Sequence, residues 1–357
     1  MEALFGRVVF TSGDRKYDWV DVVLAARLWG DWASLEEEVR QGIACRKRME
    51  EAEDFPDSEE VESAAREFRY ARDLLTAQET EAWLERWNLT VEGWMDYLQR
   101  ALLRQKWSDQ LTEIVACYPV TEGEIENCLQ YESVCSGYLA HWAQKLAARA
   151  AADEKLRVTA APETGDEEAE EDPRAVSATS LPDMEERGLP GVSLEACQEK
   201  VIALTRLEAV FQHFCQQLRT SQSTEDQISS HQLDWIRLDC CSAIFPEELI
   251  AREAVLCVRE DGRELSEVAA EAKAVARQVR FYLDELEPAW RAYFLSAQKG
   301  ELVGPLSMGE EFALFVVLDK IWPSVADPEI RQRAEQRALL NAVEHEVNDR
   351  VQWQIRL

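Results

Sequence analysis

The side chains most able to do chemistry in this sequence are four histidines and nine cysteines. His213 lies close to Cys215, and His231 precedes Cys240 and Cys241. A zinc site needs three or four such ligands at suitable spacing, and neither group has a third and a fourth ligand nearby. The sequence therefore predicts no metal site.

Carboxylates are abundant and could act as general acids or bases. Most of them occur in helical runs such as Glu36–Glu38 and Glu50–Glu62, whereas a catalytic pair needs a desolvated cleft that separates its two pKa values. The sequence also lacks a glycine-rich phosphate loop, HExxH, GxSxG and an EF-hand loop. We therefore predict no enzyme activity, no catalytic residue and no cofactor.

The net charge narrows the class of partner. The chain has 69 acidic and 39 basic residues, which leaves a formal charge of −30. This charge repels phosphates and anionic lipids, so we expect no nucleic acid and no membrane partner. A protein or peptide partner that is neutral or basic is favoured, and the sequence leaves the oligomeric state open.

The location of the protein is indicated by cysteine usage and by the absence of a membrane signal. No apolar run reaches the roughly 18 residues that span a bilayer, and the start lacks a basic flank leading into a long apolar stretch. An odd number of scattered cysteines is typical of reduced thiols. The sequence predicts a cytoplasmic protein.

Composition divides the chain into segments. We predict a helical N-terminal domain over 1–150, an acidic disordered linker over 151–190 and a linking helix over 191–227. The linker has no aromatic residue and carries the run Asp166–Asp172, so burial cannot offset the entropy of ordering it.

The first segment has apolar residues at helical spacing and three candidate capping boxes, in which a hydroxyl precedes Glu by three residues. These pairs are Ser34 with Glu37, Thr76 with Glu79 and Thr121 with Glu124. The stretch around Ser12-Gly13-Asp14 is either a hairpin or a lead into a helix over 19–30.

Eight of the twelve tryptophans lie in this first segment. Indole rings usually fill large spaces between helices, so we interpret these tryptophans as core residues, with a peptide-binding groove as the alternative. They are Trp19, Trp29, Trp32, Trp83, Trp87, Trp94, Trp107 and Trp142.

The remaining chain mixes strands and helices. Residues 228–325 are predicted as a small α+β domain, with strands at LDWIRLDCC, VRFYL and FALFVVLDK and a turn at KGELVGPL. A C-terminal helix over 326–357 begins at Asp327-Pro328-Glu329, where Asp can cap and Pro suits the first helical position. The fold class is therefore mainly α with a small α+β part.

The stretch 296–325 resembles the end of a parvulin-type peptidyl-prolyl isomerase domain, and the strand LDWIRLDCC with the phrase ELSEVAAEA resembles its first half. The flanking helices over 75–107 and at the C-terminus resemble SurA-type chaperones and related bacterial proteins that assist peptide maturation. This resemblance implies that the C-terminal helix packs back on the first domain. The matching turn residues are Lys299, Gly300, Glu301, Gly304 and Pro305, and the strand residues are Phe312, Leu314, Phe315, Val317, Leu318, Asp319 and Lys320.

The sequence departs from this family where the chemistry would occur. Active parvulins have one histidine in the first strand and one in the last, and the matching positions here fall near Trp235 and at Ala313. The family's middle glycine-rich segment is also missing. The resemblance therefore implies a degenerate domain that binds a peptide without isomerising proline.

Two functions follow from these observations. The first is a non-catalytic, chaperone-like protein that binds a peptide or protein segment. The second is a regulatory adaptor that sequesters a basic partner, such as a transcription factor, and releases it when the linker is cut. For the first function, the side chains predicted to contact the peptide around the former pocket are Trp235, Phe281, Phe294, Met308 and Phe312.

Overall fold

The computed structural model describes residues 4–159 and 193–356. These residues contain fourteen α-helices and two small antiparallel sheets, which confirms the fold class of mainly α with a small β part. The chain divides into two compact units. Unit 1 contains the described residues up to Phe214 together with Val343 onward, and unit 2 contains Cys215–Ala342.

The sheet of unit 1 has the strand order β2-β1-β7. Strands β1 (Val8–Ser12) and β2 (Arg15–Asp18) form a hairpin, and α1 (Trp19–Leu28) follows at once. The hairpin and the lead into a helix, which the sequence left as alternatives, are therefore both present. Strand β7 (Val351–Trp353), which follows the C-terminal helix, pairs with β1. Gly13 at the hairpin tip has φ +56°, and a Cβ atom there would lie 2.6 Å from the Glu154 carboxylate.

Seven more helices follow α1 in this unit before the chain leaves the described range. They are α2 (Trp32–Ala52), α3 (Ser58–Tyr70), α4 (Ala77–Arg86), α5 (Val91–Lys106), α6 (Leu111–Cys117), α7 (Glu122–Cys135) and α8 (Tyr138–Thr159).

The capping boxes expected at Thr76 and at Thr121 are present, at the starts of α4 and α7. The one expected at Ser34 is wrong, because α2 begins at Trp32 and Ser34 lies inside the helix. The Trp32 indole instead donates to Glu36 Oε1 at 2.7 Å.

The predicted linker begins too early. Residues 151–159 belong to α8, where Ala151 and Ala152 are buried and Asp153 pairs with Arg15. Burial of this alanine-rich turn stabilises the helix beyond residue 150. Residues 160–190 of the predicted linker lie outside the described residues. The predicted linking helix is two helices, α9 (Leu194–Leu218) and α10 (Ser221–Ser230).

Unit 2 contains a four-stranded sheet with the order β4-β3-β6-β5, all pairs antiparallel. Its elements are β3 (Arg237–Phe245), α11 (Glu248–Arg259), α12 (Leu265–Glu271), β4 (Ala276–Tyr282), α13 (Pro288–Ser296), β5 (Leu302–Met308), β6 (Glu311–Ile321) and the first part of α14 (Pro328–Arg350). Asp327 accepts a hydrogen bond from the backbone N–H of Glu329 at 3.0 Å, as a helix cap should.

Strand β5 corrects the sequence prediction, which placed a turn at KGELVGPL. Leu302, Val303 and Leu306 are buried, so this stretch belongs to the core. Gly304 and Pro305 lie at an irregularity in the pairing with β6 rather than at a turn. Gly304 has φ +118°, and a Cβ atom there would lie 2.6 Å from the carbonyl oxygen of Ala313. Only glycine fits this position.

Alternate side chains of β6 face two separate cores, as strand geometry requires. Ala313, Phe315 and Val317 pack in one core with Phe294 of α13. Leu314 packs in the other core, with residues of α11 and α12. The sheet of unit 2 is therefore covered by helices on both faces.

A buried ion network joins α2, α5 and α7 in unit 1. Arg100 and Glu132 are 1% and 2% exposed, and their side chains approach to 3.3 Å. Glu132 also accepts from Arg104 at 2.9 Å, and Asp96 accepts from Arg100 at 3.0 Å. Gly42 lets α2 approach α5 closely, because a Cβ atom at this position would lie only 3.2 Å from Arg100 Cβ.

Glu132→Gln keeps the shape of this side chain and removes its charge. We expect the free energy of unfolding to fall by about 3 to 5 kcal/mol, because the buried Arg100 and the partly buried Arg104 lose a counter-charge. The matched control is Glu37→Gln, whose partner Arg40 is exposed, and it should cost less than about 1 kcal/mol. Urea unfolding followed by tryptophan fluorescence measures both values, and equal small losses would contradict this account.

Candidate functional site

Unit 1 contains an open cleft of about 550 Å³, which we call the tryptophan cleft. The end of α3, helix α4 and the junction of α7 with α8 form its walls. Its apolar and small lining residues are Ala71, Leu74, Ala82, Trp83, Trp87, Val134, Gly137, Leu139 and Ala140, and its charged ones are Arg72, Asp73, Glu79, Arg86 and Arg356.

Trp83 and Trp87 stand one helical turn apart, so both face the same side of α4. Trp83 is partly buried, with its ring edge-on to Phe68 at 5.5 Å between centroids. Trp87 is 6% exposed and packs against Trp19 at 5.4 Å. The two indoles are therefore fixed by the aromatic core behind them, and Trp83 offers the larger free surface.

Arg72 holds the wall of the cleft together. Its guanidinium donates to the carbonyl oxygens of Cys135 and Phe68 and lies 3.8 Å from the Phe68 ring centroid. Burial lowers the pKa of Arg72. This arginine is consequently occupied with protein groups and has a positioning role.

The other charges differ in how far they are already paired. The Glu79 carboxylate accepts from Thr76 in the capping box, and this hydrogen bonding lowers the pKa of Glu79. Arg356 and Asp73 are both exposed and 4.0 Å apart. The Arg86 side chain makes no ion pair or hydrogen bond with another described residue, so its donors are open to a ligand.

The five side chains predicted to contact a peptide lie in four different places in unit 2. Trp235 is 3% exposed and stacks on His231, and Phe294 is fully buried with its ring edge-on to Phe281. Phe312 packs on the core beneath α11 and α12, and Met308, at the β5–β6 turn, is 44% exposed. They do not line one pocket, because three of these places belong to separate cores and the fourth is an exposed turn.

The two residues that the resemblance to parvulins set against that family's histidines, Trp235 and Ala313, carry no acid or base. Ala313 is fully buried beside Phe315 and Phe294 and pairs with Ile244 of β3. Trp235 lies in the turn before β3 rather than in the strand. Apolar packing surrounds Ala313, whereas Trp235 stacks on the His231 ring.

Cysteine chemistry is disfavoured for the buried thiols. Burial raises the pKa of Cys135 to about 12 and that of Cys240 to about 12, so neither supplies a thiolate at neutral pH. Among the described residues, no three or more His, Cys, Asp or Glu side chains are placed to hold a metal ion. Within the same ranges, no helix has both the length and the apolar character needed to cross a membrane.

No protein-family model matches this chain, and no curated protein matches it significantly. The chemistry of the clefts must therefore identify the function. The sequence placed Trp83 and Trp87 in the core and allowed a groove as an alternative. The signal for a groove was two tryptophans at i and i+4 on a helix whose other face is charged.

A strongly shifted carboxylate lies elsewhere in unit 1. Burial raises the pKa of Asp21 to about 6, although Lys200 lies 2.6 Å away and lowers it. Asp21 also accepts from the Asp18 backbone at 2.9 Å in the capping box of α1. These contacts assign Asp21 a structural role in joining α9 to α1.

Asp21→Asn should change how stability depends on pH. Because the folded protein holds the Asp21 proton up to about pH 6 and the unfolded chain releases it near 3.8, the folded state binds more protons between these values. The free energy of unfolding of the wild type should therefore fall, relative to the variant, by about 2 kcal/mol as pH rises from 4 to 7. Urea unfolding at several pH values measures this difference, and parallel curves would refute it.

Proposed function

We propose that this protein binds an extended, uncharged peptide segment in the tryptophan cleft, as a chaperone-like protein without catalytic activity. The observation that carries the proposal is the cleft itself. Its volume of about 550 Å³ lies within the roughly 300 to 1,000 Å³ of ligand sites, and aromatic walls with a few polar groups are typical of such sites.

The lining favours apolar side chains joined by an ordinary backbone. The indole of Trp83 provides a flat surface for proline or aliphatic residues, and Arg86 provides N–H donors for peptide carbonyls. Three arginines against two carboxylates disfavour a basic peptide here, although the whole chain is acidic. The net charge of the chain allows a neutral or a basic client, and the lining of this cleft therefore favours the neutral one.

The parvulin-like identity of unit 2 is part of this proposal. It is supported by the neighbouring positions of β3 and β6, the strands that resemble the first and last of that family. The SurA-like arrangement is supported by the place of residues 343–356 in unit 1, where β7 pairs with β1. A cytoplasmic location, supported by the buried thiols, belongs to the same proposal.

Trp83→Leu should weaken binding of a capped, uncharged peptide of leucine, proline and phenylalanine at least tenfold, which is about 1.4 kcal/mol. The indole is partly exposed, so the fold should survive. The matched control is Trp322→Leu in unit 2, because Trp322 is 51% exposed and lies outside the cleft. Isothermal titration calorimetry measures both affinities, and equal affinities for both variants would rule out this cleft.

The purified protein should not accelerate proline isomerisation above the uncatalysed rate. The barrier is ~18 to 20 kcal/mol, and the buried Ala313 has no polar group to stabilise the twisted amide. A protease-coupled assay with a proline peptide tests this expectation. A rate that rises in proportion to protein concentration would contradict the non-catalytic assignment.

The adaptor function has its own supporting observation, an acidic surface at the α2–α3 junction. Glu53, Glu59 and Glu62 are exposed and form no ion pair with another described residue. Phe55, between them in sequence, is 62% exposed. A basic partner would bind here, so replacing these three glutamates by glutamine would abolish an adaptor interaction, whereas Trp83→Leu would leave it intact.

A further inference from the structure

Unit 1 contains a second cleft of about 370 Å³, which we call the basic cleft. Strand β2, the first turn of α1, the end of α8 and the middle of α9 contribute to it. It shares no lining residue with the tryptophan cleft. Four basic and two acidic side chains line it, which is unusual in a chain with a net charge of −30.

The two carboxylates that line the basic cleft are already neutralised. Asp153 is nearly buried and pairs with Arg15 at 2.8 Å. Asp21 pairs with Lys200 at 2.6 Å, and Lys200 also reaches Asp18 at 3.3 Å. These pairs hold β2 and α8 together and join α9 to α1.

Two cations of this cleft remain open. Lys16 and Arg206 are exposed, and neither makes an ion pair or hydrogen bond with another described residue. They come from different elements, β2 and α9, and line the same cleft. A lysine ammonium and an arginine guanidinium together suit an oxyanion that carries two charges, since Arg can bind two of its oxygens.

The remaining lining is apolar. Leu204 and Leu207 of α9 are buried, and Tyr17 is 7% exposed with its ring stacked on Phe10. A ligand with an organic group beside its anion could therefore bury that group here. The small volume and the net negative charge of the chain disfavour a polyanion such as a nucleic acid.

We propose that the basic cleft binds a small phosphate monoester. Its phosphoryl group contacts Lys16 and Arg206, and its organic group packs against Leu204 and Leu207. This site is independent of peptide binding in the tryptophan cleft.

Phenyl phosphate is the probe, titrated calorimetrically at low salt and pH 8, where its phosphoryl group is a dianion. We expect saturable binding to the wild type, at least fivefold weaker binding of inorganic phosphate, and at least a tenfold loss in Lys16→Gln/Arg206→Gln. The control Arg66→Gln/Lys273→Gln removes the same charges from exposed positions outside the cleft and should bind like the wild type.

Four further outcomes decide the proposal. Arg206→Lys should keep most of the affinity, because the charge remains, and Trp83→Leu should keep all of it. If phenyl phosphate does not saturate the wild-type protein at concentrations up to ~10 mM, the proposal is overturned. Equal losses in the cleft variant and in the control variant would also overturn it, since they would show a general effect of charge.

Discussion

The structure of unit 1 depends on a buried ion network that must stay paired. Arg100 and Glu132 are almost completely withdrawn from water, and the desolvation of two such charges is offset only when each remains close to a counter-charge. The pair therefore favours the observed packing of α5 against α7. Glycine at position 42 is part of the same constraint, because a side chain there would press on Arg100.

This constraint extends to the tryptophan cleft through α7. Glu132 fixes that helix, and three residues later the carbonyl oxygen of Cys135 accepts a hydrogen bond from Arg72. Arg72 in turn lies over Phe68, whose ring packs against Trp83. The position of the partly exposed Trp83 indole is thus linked to a charge pair buried between α5 and α7. Unit 2 differs in this respect, since apolar packing rather than a buried charge pair surrounds Ala313.

Local signals in the sequence were sufficient for most elements. The capping boxes at Thr76 and Thr121 were predictable because their hydrogen bonds join residues three apart. The capping box predicted at Ser34 does not form, because tertiary burial of Trp32 starts the helix earlier. Strand β5 was missed because Gly304 and Pro305 are ordinary turn residues, and their place at a strand irregularity depends on the distant Ala313.

The candidate sites were less accessible to sequence reasoning. Residue type suggested that aromatic side chains bind a peptide, but exposure depends on which core each side chain enters. Phe294 and Trp235 are buried, whereas Trp83 keeps a free face. Lys16 and Arg206 line the same cleft although they are far apart in sequence, so no spacing rule could indicate that they lie together.

Hydrogen exchange measured by mass spectrometry, with and without the uncharged peptide, tests the central claim most directly. If the peptide occupies the tryptophan cleft, amide exchange should slow in α4, over Ala77–Arg86, and in the turn that precedes it. Unit 2 should then show little change. Protection confined to the β5–β6 turn around Met308, with α4 unchanged, would contradict the account.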